Sequence, residues 1–254
     1  MRNLTIFLYE GKHFIQGPFK ILALVLFMGA AIYGLHNGAA LFHQHQGEIV
    51  KIYQQDEEDR ETYLNYYREG KRGPENRPWV DMTEPFWGMW SAGASHVKAP
   101  SPAMVYSTGQ AEQFGFYKRI TFLSSPYDAD LTEEIANPER LQSGTLDFTF
   151  AIVFLMPLLL LVWVYNLKGA EKDQGFFPLI EVQTAASNNW LLTRLVFYGA
   201  LLFGVSVLLI LYGNLLTNAG PAVGAMILYT GLYILLWCAL FGVVLLGGSS
   251  VMGN

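Results

Sequence analysis

Cysteine is almost missing from this chain. The only one, Cys238, lies midway along an apolar run, so no intramolecular disulfide can form and any exported part must be held by its own packing. Charge is also scarce, at 15% of 254 residues, and four long apolar blocks hold no Asp, Glu, Lys or Arg at all: Ile21–Phe42, Phe148–Tyr165, Leu195–Leu216 and Val223–Leu246. Carriers driven by an ion gradient usually place ionisable residues inside such blocks, which argues against that class. Nucleotide chemistry has no foothold either. The chain contains no G-x-x-x-x-G-K-[ST] and no G-x-G-x-x-G, and it also lacks the zinc-protease H-E-x-x-H and the nucleophile-elbow G-x-S-x-G.

What is present is apolar surface gathered into blocks: 52% of residues are hydrophobic and the mean hydropathy is +0.26. Crossing roughly 30 Å of hydrocarbon takes about 20 helical residues at about 1.5 Å each, and each block is close to that length. A cleavable signal peptide would have a shorter apolar core than Ile21–Phe42 and a small-residue cleavage site behind it. The sequence therefore predicts an α-helical polytopic membrane protein. Its expected parts are a cytoplasmic interfacial helix (1–18), four transmembrane helices (19–42, 148–166, 190–216 and 223–247), an extracytoplasmic α+β insertion (43–147), a charged cytoplasmic loop (167–189), an external turn (217–222) and a cytoplasmic end (248–254).

Charge sets the expected orientation. Outside His43–Asp147 there are six Lys or Arg against four acids, and inside it ten against seventeen. Short basic flanks stay in the cytoplasm, so Arg2, Lys12 and Lys20 and, later, Lys168, Lys172 and Arg194 are expected there, with Arg194 snorkelling at a span's edge.

Leu4, Phe7, Leu8, Phe14 and Ile15 fall near one helical face, with Arg2, Glu10 and Lys12 elsewhere, before Gly17-Pro18 breaks the helix. That pattern fits a helix lying in the membrane surface or an ordinary cytosolic tail. In the first span Ala30, Gly34 and Gly38 repeat every four residues, a small-residue seam that lets another helix approach closely. His36, His43 and His45 suggest a metal, but a site needs three or four converging ligands, and only Glu48 stands at helical spacing from His45. The helix is expected to run on through Glu69, with Asp56-Glu57-Glu58-Asp59 as a solvated face, and to end at "GKRGPENRP". Beyond it, "AMVYSTGQAEQFGFYKRITFL" predicts two short strands around Gly109 and Gly115. The many aromatics of the insertion serve either as its core or as a substrate cleft.

The stretch Ile135–Thr184, "IANPERLQSGTLDFTFAIVFLMPLLLLVWVYNLKGAEKDQGFFPLIEVQT", carries a family resemblance. It is similar to the junction of ABC-2-type transporter permeases with a large extracytoplasmic insertion between their first two spans. Asn137, Pro138, Leu141, Gly144, Asp147 and Phe150 match an E-N-P-x-x-L-x-x-G-x-x-D-x-x-F stretch. Pro157 matches a proline in the second helix, and Glu171, Lys172, Asp173 and Gly175 match an acidic-basic-acidic loop ending in glycine. Gly109 and Gln110 match a further G-Q segment. Phe176 departs from the small polar residue usual after that glycine.

The resemblance implies a permease subunit in a bacterial inner membrane, exporting a substrate with ATP and Mg bound on a separate ABC ATPase subunit and with no cofactor of its own. A second permease subunit and membrane lipid are the other implied partners, and nucleic acid is not one. Glu171, Lys172, Asp173, Gln174, Gly175, Phe176 and Leu179 would contact the ATPase. Permeases of this kind have six spans, and "GGSSVMGN" is similar to the loop before a fifth, which implies a fragment of a longer permease. A membrane-anchored extracytoplasmic binding or sensory module is the alternative.

The charge asymmetry yields a topology test. With Cys238→Ser as background, cysteines at Asn65 and Gln113 should react with an impermeant thiol reagent on intact cells, and one at Asn188 should not. Outside labelling at position 188 overturns the orientation.

Overall fold

The computed structural model describes residues 2–75, 77–91, 93–109, 111, 115–120, 146–175, 177–183 and 187–251. These residues are mostly helical with one two-stranded sheet, and they divide into two compact units. The first comprises Met1–Gly38, Val105–Ser107 and Leu146–Asn254; the second comprises Ala39–Met104 and Thr108–Thr145. Four of the described helices are long and apolar enough to cross a membrane.

In the first unit α1 (Arg2–Gln16) closes at Gly17, and Pro18, which has no amide hydrogen to leave unpaired, opens α2 (Pro18–Arg68). After the short helix α3 (Pro85–Ser91), which belongs to the second unit, the next long helix, α4, is composite: α-helical over Phe148–Phe150, a π-turn over Ala151–Leu155, then α-helical over Met156–Val164. Asp147 caps its start, its carboxylate Oδ1 accepting from the Phe150 amide at 2.7 Å. Pro157 has no N–H to give the carbonyl of Val153 four residues back. The Tyr233 hydroxyl, from the last helix, donates to that oxygen at 2.8 Å instead. The π-turn just ahead of the proline takes up the local misfit in the hydrogen-bond ladder.

Two short helices follow, α5 (Leu167–Asp173) and α6 (Phe177–Gln183), where the sequence predicted a loop. Leu, Lys, Ala and Glu favour helix through α5, and Gly175, at φ +72°, stops it. Pro178 is the second residue of α6, a position whose amide needs no helical partner. The long helices α7 (Ser187–Thr217) and α8 (Gly220–Val251) form an antiparallel pair. Asn218, at φ +55°, turns the chain between them and donates its amide to Asn214 O at 2.8 Å, a left-handed helix cap.

Of the predicted seam on α2, Gly34 is the residue that another backbone approaches closely inside this unit. Gly34 and Gly38 are buried and Ala30 is half-buried. A Cβ on Gly34 would stand 2.6 Å from the backbone of both Asp147 and Phe148, so α2 meets the start of α4 with no room for a side chain. Tyr106 joins the same contact: it is buried, its ring lies 5.9 Å from that of Phe148, and its hydroxyl donates to Ile210 O at 2.8 Å.

The second unit corrects two expectations. The strands are β1 (Ala94–Val97) and β2 (Tyr117–Ile120), antiparallel with Ala94 opposite Ile120. Of the two predicted runs only the later one is a strand. Pro102 starts a 3₁₀ turn through Val105, and Val105 and Tyr106 are core residues of the first unit rather than strand residues of the second. The acidic run is not uniformly solvated either. Asp56 accepts from the Ser95 amide at 2.6 Å and its hydroxyl at 3.0 Å, and Asp59 pairs with Arg119 at 3.1 Å, so the residues at i and i+3 bind the sheet. Glu57 and Glu58 point away from it and are exposed. His45 stacks on Phe116 with ring centroids 4.4 Å apart, the packing role weighed against metal. The helix ends one residue before Glu69. Gly70, at φ +65°, closes it, its amide bonding Tyr67 O while that of Lys71 bonds Tyr66 O, the paired bonds of a Schellman cap.

Gly34→Ala should overpack the α2–α4 contact, at a cost of about 1–3 kcal/mol. The thermal unfolding midpoint of the purified protein in detergent should fall by several degrees. An unchanged midpoint would mean that the two backbones separate without penalty.

Candidate functional site

On α1 the predicted apolar face splits in two. Phe7 and Phe14 turn inward, their rings 4.9 Å from Phe197 and 5.2 Å from Trp163, whereas Leu4, Leu8 and Ile15 remain exposed. The turn between Phe7 and Phe14 places Glu10 on the inward face. Glu10 was expected to point elsewhere; instead it is fully buried. An unpaired buried carboxylate is too costly to persist, so the partners around it decide whether α1 can dock here.

Those partners come from α7, from the start of α2 and from α1 itself. From α7, Arg194 brings Nε to 2.6 Å from Glu10 Oε2 and donates from Nη2 to Oε1 at 3.2 Å. One turn further on, the Tyr198 hydroxyl donates to the same Oε1. From the start of α2, Lys20 Nζ lies 3.7 Å from Oε1 and donates to the Tyr198 oxygen at 2.5 Å. His13, one turn along α1, has Nδ1 3.8 Å away. Arg194 is 5% exposed rather than snorkelling, and its guanidinium rests over the Trp190 ring at 4.8 Å. Its remaining nitrogen, Nη1, donates to Glu171 Oε1 on α5 at 3.0 Å. The result is a carboxylate–guanidinium–carboxylate chain, Glu10–Arg194–Glu171, with Lys20 balancing the second negative charge.

Burial pushes the Glu10 carboxyl up, but the Arg194 charge, the Tyr198 hydroxyl and the Lys20 charge together outweigh it and hold the group below the usual carboxylate range. Glu10 is therefore ionised at neutral pH. The two ends of the chain differ: the Glu10 side chain is 1% exposed and ringed by donors, while that of Glu171 is 20% exposed with Arg194 as its ion-pair partner.

The other predicted residues lie as follows. Lys172, Asp173 and Gln174 are exposed on α5 and the turn after it, Gly175 ends that helix, and Leu179 is 59% exposed on α6 beside the still more exposed Val182. Glu171 differs from its neighbours in facing Arg194 within the chain. Gly109 is exposed at φ +52°. Gln110, Asn137, Pro138, Leu141, Gly144 and Phe176 lie outside the described residues. Among the described residues no group of three or more His, Cys, Asp or Glu is arranged to hold a metal ion.

No protein-family model, no curated protein and no solved structure matches this chain.

Sequence reasoning missed Glu10 and Tyr198 as functional candidates. A usable signal existed. Glu10 is the only acid before Glu48, and Arg194 is the only Lys or Arg after Lys172, so each is a lone charge beside apolar sequence that needs an opposite charge if buried.

A group whose folded pKa is depressed contributes stability above its unfolded value, here 4.5, and that contribution fades as pH falls through the folded value. Glu10→Gln should thus destabilise the protein at pH 7, by about 3 kcal/mol, the cost of removing one member of a buried ion cluster. Variant and wild type should converge as the pH is lowered below 4.5. Thermal unfolding followed by tryptophan fluorescence across that range checks it, and a gap independent of pH would exclude an ionised Glu10.

Proposed function

We propose that this chain is the membrane-spanning permease subunit of an ABC-2-type transporter, exporting its substrate with ATP hydrolysed, with Mg, on a separate ATPase subunit. The reading rests above all on α5 and α6. They form a compact, charged pair inserted between two membrane-length helices, with Lys172, Asp173, Gln174 and Leu179 turned outward. A partner that drives the helices needs a handle of this kind, rigid enough to carry a displacement and exposed enough to be gripped. The motif similarity of Glu171–Gly175 points the same way, and the absence of a nucleotide motif requires the energy source to be elsewhere.

The membrane setting is supported by the uncovered surfaces. Along α8 the exposed residues include Leu228, Leu232, Leu235, Leu236, Val243 and Val244, and along α2 they include Leu22, Val25 and Leu26. At about 25 cal/mol per Å² of apolar surface, leaving these in water is prohibitive, and lipid removes the cost. Leu4, Leu8 and Ile15 would face the acyl boundary, with Lys12 at the headgroups, and α1 would lie in the bacterial inner membrane's cytoplasmic surface. A second permease subunit would complete the translocation path.

The alternative, a membrane-anchored extracytoplasmic binding or sensory module, draws on the exposed Trp79, Phe86 and Trp90 of the insertion. It gives α5 and α6 nothing to do.

Affinity purification from native membranes separates the two readings. The transporter reading expects an ABC ATPase to co-purify, and Leu179→Asp to reduce its recovery at least tenfold with the chain itself equally abundant. A central apolar contact worth about 2 kcal/mol or more accounts for that factor. Purification without an ATPase, or undiminished recovery with Leu179→Asp, would leave the anchored module standing.

A further inference from the structure

Where α2 meets α7 near the far end of the first span, a polar group stands on the surface that lipid would cover. The Tyr212 hydroxyl and His36 Nε2 lie 2.8 Å apart with ring centroids at 5.8 Å, and His36 remains exposed. Among the described residues Tyr212 is the hydrogen-bonding partner of His36 through Nε2, and Nδ1 has none. His36 stands sixteen residues beyond Lys20 on α2, about 24 Å at about 1.5 Å per residue, inside a hydrocarbon layer of roughly 30 Å that begins near Lys20. An imidazole facing lipid at that depth with one nitrogen unmatched is costly, and such groups turn toward another polar group.

The same side of α2 carries a second feature that nothing within the chain explains. Gly29, seven residues before His36 and so nearly in line with it, is exposed, and a Cβ there would meet nothing within 4 Å. Glycine in a helix interior costs about 1 kcal/mol relative to alanine. For Gly34 the Asp147–Phe148 backbone supplies the reason; Gly29 has no such neighbour among the described residues. Leu22, seven residues earlier again, and Val25 are exposed beside it. The stripe has the spacing of a helix-packing seam, bare where two backbones would cross and polar where they would be tied.

We propose that this face of α2 packs against the same face of a second copy of the chain, with the two His36 imidazoles hydrogen-bonded to each other through Nδ1. Copies inserted in one membrane run in the same direction, so a two-fold axis along the membrane normal brings residues of equal depth together. The bond between His36 and Tyr212 suits such a contact because it has two forms. Tyr212 either donates to Nε2, leaving an N–H at Nδ1, or accepts from an Nε2–H, leaving Nδ1 as an acceptor. One copy in each form makes a matched pair, whereas lipid tails offer neither donor nor acceptor. The inference rests on the membrane setting proposed above and not on the transporter reading; within that reading it makes the second subunit another copy of this chain.

Membranes from cells producing the whole chain test it. Alkaline carbonate should leave the chain in the membrane pellet; its release removes the membrane setting and the inference with it. With Cys238→Ser as background, Gly29→Cys should give a disulfide-linked species of twice the chain's mass under mild oxidation, whereas Leu235→Cys, exposed on α8, should not. With the chain in the pellet, absence of cross-linking at position 29, equal cross-linking at position 235, or linkage of position 29 to a different protein overturns the proposal. The imidazole pair is read separately, by energy transfer between labelled chains diluted with lipid in liposomes. His36→Leu should raise the dissociation constant about tenfold, equivalent to about 1.4 kcal/mol and within the range measured for hydrogen bonds between membrane helices. Tyr212→Phe, which keeps the ring and releases the imidazole, should weaken association by less. Association unchanged in both variants overturns the imidazole pair.

Discussion

The burial of one carboxylate organises the charged end of the helical unit. Glu10 carries its charge into a position without solvent, and the chain supplies a guanidinium, a phenol and an ammonium from residues 20, 194 and 198 to hold it there. Such pairs add little net stability over a well-packed apolar core, since desolvation offsets most of the attraction. Their effect is on specificity. Rotating α1 by one residue would take Glu10 away from Arg194, Tyr198 and Lys20, so the helix has one docking register where an all-apolar face would have several. Phe7, Phe14 and Trp163 provide the contact area, and the ion chain selects among the ways of using it.

Much of this architecture was legible in the sequence because its determinants are local. Helix length follows from uninterrupted apolar blocks, the break at Gly17-Pro18 from proline geometry, and the end of α2 from Gly70. The smallness of Gly34 was legible too, although its partner, the backbone at Asp147–Phe148, was not. Pairing between distant segments has no signature in either segment alone. Glu10 looks solvated on a helical wheel because the wheel contains no Arg194, and Asp56 looks like part of a solvated run because the strand that needs it lies at Ser95. Val105 and Tyr106 read as strand residues by composition, but β-prone residues are also good core fillers, and Pro102 decided in favour of a turn. At the candidate site the exposed residues of α5 were found by pattern, while the inward-facing Glu171 could be told from Lys172 and Asp173 only once α7 was beside it.

The two units solve the same problem with different chemistry. In the helical unit a charge cluster fixes α1 in an apolar setting, where each ion is costly and therefore selective. In the insertion, Asp56 and Asp59 hold a short sheet against a helix in a setting where charges cost less and pairs are correspondingly weaker. A sheet of two four-residue strands has little stability of its own, so its hydrogen bonds to the helix serve as a third edge.

The hydroxyl of Tyr233 on the Val153 carbonyl also limits how the bundle can deform. Sliding α8 along α4 by a single residue would carry the hydroxyl away and take from the Val153 carbonyl the donor that stands in for the missing proline amide. Tilting the two helices about that point keeps the bond. The tyrosine therefore works as an indexing pin, permitting rocking and forbidding translation, and any rearrangement of these two helices pivots near the middle of the pair.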